Sequence, residues 1–108
     1  MDRVDQLNEL LREYCCVISM SIEYQNYRYD LALKMSTDES GADAVTVLFQ
    51  DISALNLSAF GGGLTQFMDL VVARIDAGLD RVRYELRDVE SDKISLCFLS
   101  FSMSAHKD

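Results

Sequence analysis

From Cys16 onward, apolar residues of this chain recur mostly at every second position, the spacing of an extended strand with one face turned inward. Cys16, Ile18, Met20, Ile22 and Tyr24 alternate with Val17, Ser19, Ser21 and Glu23. Gln25-Asn26 then separates that run from Tyr27, Tyr29, Leu31, Leu33 and Met35, which alternate with Arg28, Asp30, Ala32, Lys34 and Ser36. The pattern predicts a hairpin of two half-buried strands. Asn26 suits its turn because asparagine tolerates positive φ, although the glycine that usually follows is missing.

The same reasoning extends along the chain. The polar stretch 36–43 reads as a loop and 44–50 as a strand rich in β-branched residues. A bend at 51–53 leads into a short strand carrying Leu55 and Leu57, and then to Gly61-Gly62-Gly63. Two patterns compete between Leu64 and Ile75: Leu64, Phe67, Met68, Val71, Val72 and Ile75 fit a helical stripe. The short apolar run between Asp69 and Asp76 has strand length, and a strand is expected there. Val82, Tyr84 and Leu86 form another alternating run, 88–93 a charged turn, and Ile94, Leu96 and Phe98 the return. Phe98, Leu99 and Phe101 break strict alternation, so a bulge or two-sided burial is expected near Ser100, as where a strand passes through a sandwich core.

Only the N-terminus changes period. Val4, Leu7, Leu10, Leu11 and Tyr14 follow steps of three and four, Asp2 stands at the capping position, and Asp5 is placed to favour the helix dipole. The expected fold is α+β and mainly β: one N-terminal helix, then an antiparallel meander of about seven strands forming a sandwich or open barrel. With 108 residues, no proline and no linker-like tract, the chain reads as a single domain spanning 1–108, with 104–108 a frayed tail.

Charge and side-chain inventory narrow the function. Ten basic residues against eighteen acidic ones leave a net charge of −8, which repels nucleic-acid backbones and favours a basic partner. Neither a leader segment nor an apolar run of the ~18 residues needed to span a membrane is present, so no membrane association is expected. Cys15, Cys16 and Cys97 are an odd set with an adjacent pair, read as unbridged thiols in a reducing, cytoplasmic setting. His106, the single histidine, lies in the tail, which leaves no histidine-based nucleophilic system or zinc site. Neither an enzyme activity nor a cofactor is expected.

Four constellations remain. The glycine run lacks the residues of a P-loop or dinucleotide fingerprint and reads as a turn or a close approach of backbones. Asp88, Glu90 and Asp92 share one face if the strand runs through them, as a hard-cation site would require, but the loop lacks the glycine and glutamate of an EF-hand. The plainer reading is a solvated hairpin tip available to a partner. Tyr24, Tyr27 and Tyr29 crowd one hairpin, where each could bury its ring with a wet hydroxyl or anchor an interface. Arg74, Arg81, Arg83 and Arg87 stand among Asp80, Glu85 and Asp88, which predicts cross-strand ion pairs in preference to an anion site.

The segments Val45-Thr46-Val47-Leu48-Phe49-Gln50-Asp51-Ile52, Leu55-Asn56-Leu57-Ser58-Ala59-Phe60, Arg83-Tyr84-Glu85-Leu86-Arg87-Asp88-Val89-Glu90 and Ile94-Ser95-Leu96-Cys97-Phe98 carry a resemblance. Over residues 45–103 the chain resembles small, mostly uncharacterised bacterial β-rich proteins, some of which look like immunity proteins of polymorphic toxin systems. The matching motifs are core and turn patterns, so no site residue is implied. What the resemblance implies is a non-enzymatic inhibitor holding a toxin tightly, and the acidic charge suits a basic toxin domain. Asp88, Glu90, Asp92, Tyr27 and Tyr29 are the expected partner-binding residues. The alternatives are a small structural or adaptor domain that forms homo-oligomers through a sheet face or edge, using the apolar stretch Phe98 to Met103, and a small-ligand carrier with Tyr27, Tyr29 and Arg83 around a pocket.

Overall fold

A computed structural model describes residues 2–67, 69–75 and 82–105. The Asp2 carboxylate accepts the Asp5 backbone N–H at 2.9 Å and starts α1 (Arg3–Glu13), which buries Val4, Leu7 and Leu11. Arg74 reaches the other oxygen of Asp2 at 3.1 Å. The Asp5 amide first, and the Arg74 guanidinium after it, hold the Asp2 carboxyl below its ordinary value of 3.8. The cap's contribution is therefore present above that value and lost as pH falls through the lower folded one.

Eight strands follow: β1 (Cys16–Gln25), β2 (Arg28–Ser36), β3 (Val45–Gln50), β4 (Ser53–Leu57), β5 (Leu70–Arg74), β6 (Tyr84–Asp88), β7 (Ile94–Phe98) and β8 (Ser100–Ala105). They form two antiparallel sheets, β1-β2-β3-β8 and β4-β7-β6-β5, so the mainly β sandwich is what the chain builds. The ambiguous stretch before Ile75 is a strand, with Leu70 and Val72 buried. Asp76, Asp80, Arg81 and His106 lie outside the described residues. Ser104 and Ala105 do not belong to a frayed tail: they pair with Thr46 and Val45 as the end of β8.

The order of strands departs from a simple meander. β4 follows β3 but pairs with β7, while β8 follows β7 but pairs with β3. Both connections, β3 to β4 and β7 to β8, change sheet at the same point, where the Leu99 N–H donates to the Gln50 carbonyl at 3.0 Å and the Ser100 hydroxyl lies 3.0 Å from Gln50 Oε1. Leu99 is thus the break in alternation near Ser100, and it marks the corner of a sandwich. Around it Phe98 meets Phe49 edge-on at 4.9 Å, stacks on Tyr84 at 5.2 Å, and faces Phe101 at 6.0 Å. Within the Phe98–Met103 stretch Phe98 and Phe101 are buried in the core, while Leu99 and Met103 are half-buried.

The first corner is held by a buried carboxylate. Asp51 adopts φ 57°, and its N–H donates to Asp30 Oδ1 at 3.0 Å. Asp30 is itself buried, with Arg28 Nε at 3.5 Å, an ion pair without the geometry of a hydrogen bond. Truncating Asp30 leaves both groups without this carboxylate.

The helix covers one open side of the sandwich. Asn8 donates from Nδ2 to the Val72 carbonyl at 2.9 Å and accepts the Val72 N–H at 2.7 Å, occupying the outer edge of β5. Arg3 donates to the Phe101 carbonyl at 2.9 Å and lies 4.8 Å over its ring, at the outer edge of β8. On the opposite side, among the described residues, the backbone bonds reach the start of β1: Val17 N–H bonds to Thr65 O and Phe67 N–H to Cys15 O, both at 2.9 Å. Asp30→Ala is expected to lower unfolding stability by about 1–3 kcal/mol, read as a reduced urea midpoint; an unchanged midpoint would contradict the corner's dependence on this side chain.

Candidate protein-binding surface

The uncovered side carries the surface of interest. Its β1–β2 hairpin closes on Asn26 (φ 53°) and Tyr27 (φ 64°), a two-residue turn with both central residues left-handed, as the twist of the strands requires. Asparagine suits the first place. A tyrosine in the second costs about 1 kcal/mol of backbone strain, yet its ring packs on almost nothing, being 89% exposed. Packing therefore does not account for Tyr27.

Two pairs behind the turn, Tyr24↔Tyr29 and Ile22↔Leu31, share the face that looks toward the other sheet. Leu31 is fully buried, but Ile22, Tyr24 and Tyr29 are 44, 60 and 52% exposed. The tyrosine rings lie 5.0 Å apart at a tilt of 54°. Sequence alternation placed these residues on the correct face and implied a burial they do not have. Ile22 loses cover because β1 is the edge of its sheet, since Leu31 directly across from it on β2 is buried; one pair nearer the turn, at Tyr24↔Tyr29, the β2 residue is uncovered as well. Ile22, Tyr29, Ile52, Ser53, Ala54 and Leu55 line the resulting open groove of about 290 Å³. The Ile52 N–H donates to the Tyr29 carbonyl at 2.9 Å and ties its two walls together.

Of the five residues expected to bind a partner, Tyr29 lines this groove and Tyr27 stands at the turn of the same hairpin. The three acids do not join them. Ser58 N–H bonds to Lys93 O at 2.8 Å, which puts the 88–93 turn at the far end of β4 from Tyr29. Asp88 is buried, accepting the Ser91 N–H at 3.3 Å and the Lys93 N–H at 3.1 Å. It closes the turn, and only Glu90 and Asp92 face solvent. Of the arginines expected to form cross-strand ion pairs, Arg87 pairs with Asp92 in the following turn at 3.4 Å. Sequence reasoning missed Ile22, Ile52 and Leu55; alternation gives the face of each residue but not that β1 is the edge of its sheet.

Other surfaces are more plainly solvated. Asn56, Ser58, Glu85, Arg87, Asp92 and Ser95 line a polar cleft of about 360 Å³ of mixed charge. Cys97 pairs across from Glu85, and burial first, then that carboxylate, pushes its thiol up. Cys15 is pushed up by burial and by Cys16. Both stay protonated near neutrality, which makes them weak nucleophiles. All three cysteines are free. Gly61, Gly62 and Gly63 all have positive φ with open space where a Cβ would stand, so their requirement is conformational and involves no close backbone approach. Among the described residues no group of three or more histidine, cysteine or acidic side chains is placed to hold a metal, and no helix is long and apolar enough to cross a membrane.

No family model, curated protein or solved structure matches this chain.

Three substitutions separate binding residues from framework here. Tyr27→Gly is expected to raise stability by about 1 kcal/mol by relieving the turn, measured by urea unfolding; a loss of stability would show that the tyrosine serves the fold. Asp88→Ala is expected to cost about 1–3 kcal/mol, while Glu90→Ala changes stability by less than about 0.5 kcal/mol.

Proposed function

We propose that this protein is a non-enzymatic, acidic protein-binding module that holds a basic partner at the tyrosine-lined groove, in the manner of an immunity-type inhibitor of a basic toxin domain. The observation that carries the reading is the exposure of Ile22, Tyr24, Tyr27 and Tyr29 together on one uncovered hairpin. Tyrosine presents a large contact area with little conformational freedom to lose, which makes it a common anchor of interfaces. A strained turn retained for an exposed ring fits a functional residue better than a structural one.

Charge supports the kind of partner. A net charge of −8 accelerates encounter with a basic domain and orients it before the apolar groove is reached. Free thiols at all three cysteines suit a reducing cytoplasm, where a self-protecting inhibitor would act. The reading assigns no catalytic residue and no cofactor.

The test starts at the gene immediately upstream: the reading expects it to encode a large protein with a small, basic C-terminal domain, which is then co-expressed with this chain, and a neighbour of any other kind counts against the reading. The intact chain is expected to restore growth, and the Tyr24→Ala/Tyr29→Ala double variant to lose protection while keeping its urea midpoint. In vitro the association rate should fall by about tenfold or more between low and high salt, and the double variant should bind about a hundredfold more weakly. Full protection by the double variant, or a salt-independent association rate, would overturn the proposal.

A further inference from the structure

Resting on that reading, we infer that the partner is held by strand addition: an extended segment with alternating apolar and basic side chains pairs with the free edge of β1. The hydrogen-bond phase of the hairpin carries the argument. A two-residue turn makes Gln25↔Arg28 a bonded pair, and in an antiparallel ladder every second pair repeats it, giving Glu23↔Asp30 and Ser21↔Ala32. The pairs between them, Tyr24↔Tyr29, Ile22↔Leu31 and Met20↔Leu33, turn their backbone groups away from one another. The Tyr29 carbonyl shows this directly, since it accepts from Ile52 on the side away from β1.

The N–H and C=O groups of Met20, Ile22 and Tyr24 therefore point out of the sheet edge. Among the described residues the backbone bonds on that edge end at Val17. Sheet edges are normally blunted by lysine, proline or a bulge. Here the one bulge falls between Val17 and Ser19, and Ser19 to Gln25 runs on in regular register with neither lysine nor proline.

The side chains define what would pair there. Residues whose free backbone groups face outward also direct their side chains to the groove face, so an added strand opposite Ile22 and Tyr24 places apolar groups beside the groove. Its alternate residues fall on the other face, beside Glu23. At the opposite end of the edge Gly41 lies against Ile18, with 3.6 Å from its Cβ position to Ile18 Cδ1, and brings the loop of Asp38, Glu39 and Asp43 to the start of β1. Acids at both ends favour basic groups in the added strand. They oppose a second copy, because antiparallel pairing of two β1 edges would bring Glu23 of one molecule toward the acidic 38–43 loop of the other.

The probe is a synthetic peptide of about nine residues alternating valine with lysine or arginine, beside an acidic analogue with glutamate in place of the basic residues. Amide hydrogen exchange of the full chain is followed by NMR. The basic peptide is expected to slow exchange at Met20, Ile22 and Tyr24 by about tenfold or more, leaving Ser21 and Glu23, already bonded to β2, unchanged. Ile22→Lys should weaken binding by about tenfold, and the acidic analogue should not bind. Shifts at Tyr29 and Leu55 without that alternation would overturn strand addition while leaving the groove as the binding surface. Lack of binding at about 1 mM peptide would also overturn strand addition, while the co-expression test decides the broader function independently. Concentration-dependent protection of the same amides without peptide would assign the edge to a second copy and overturn the inference.

Discussion

The backbone bond from Leu99 to Gln50 marks the point on which the architecture turns. Two strand pairs change sheet there together, so β3 with β8 and β4 with β7 form one bent ribbon that belongs to both layers. The bend lets Phe49, Phe98, Phe101 and Tyr84 converge from both layers on one aromatic cluster. It also fixes where the next strand starts. Asp30 holds the Asp51 amide at the bend, and Ile52 then lies against Tyr29, which determines the wall of the groove.

A sandwich of two open sheets has four outer edges, and their treatment here is unequal. One helix serves two of them, using Asn8 as a substitute strand partner for β5 and Arg3 to cover the Phe101 carbonyl on β8. The 60–67 segment covers the first residues of β1. Past that point Ile22 and Tyr24 stand exposed at the edge of the sheet. A feature with no role in the fold thus lies beside unused backbone groups, and an acidic surround selects the charge of what can approach.

Much of this was legible in the letters. Steps of three and four placed Val4, Leu7 and Leu11 on the buried face of α1, and Asp2 is its cap. Alternation found the strands, and the Phe98-Leu99 irregularity located the change of sheet. What remained hidden depends on what lies opposite. Leu31 and Ile22 occupy equivalent alternating positions and face each other across the hairpin, yet one is fully buried and the other is not, because β2 is an interior strand and β1 the edge of the sheet. Asp88 and Glu90 are likewise equivalent acids in sequence; only the path of the turn decides that Asp88 closes it. Ser104 and Ala105 read as tail because their stabilisation comes from pairing with β3, a partner remote in the chain.

The central claim is that the uncovered hairpin is where a partner sits, and the chain's five tyrosines supply their own controls. Tyr24, Tyr27 and Tyr29 are exposed on the hairpin beside the groove, whereas Tyr14 and Tyr84 are packed against the core. Tyrosine nitration mapped by mass spectrometry, on the free chain and on its complex with the basic domain, reads all five at once. The account predicts that the three hairpin tyrosines lose reactivity in the complex while Tyr14 and Tyr84 do not change. Hairpin tyrosines that react in the complex as they do in the free chain would contradict it.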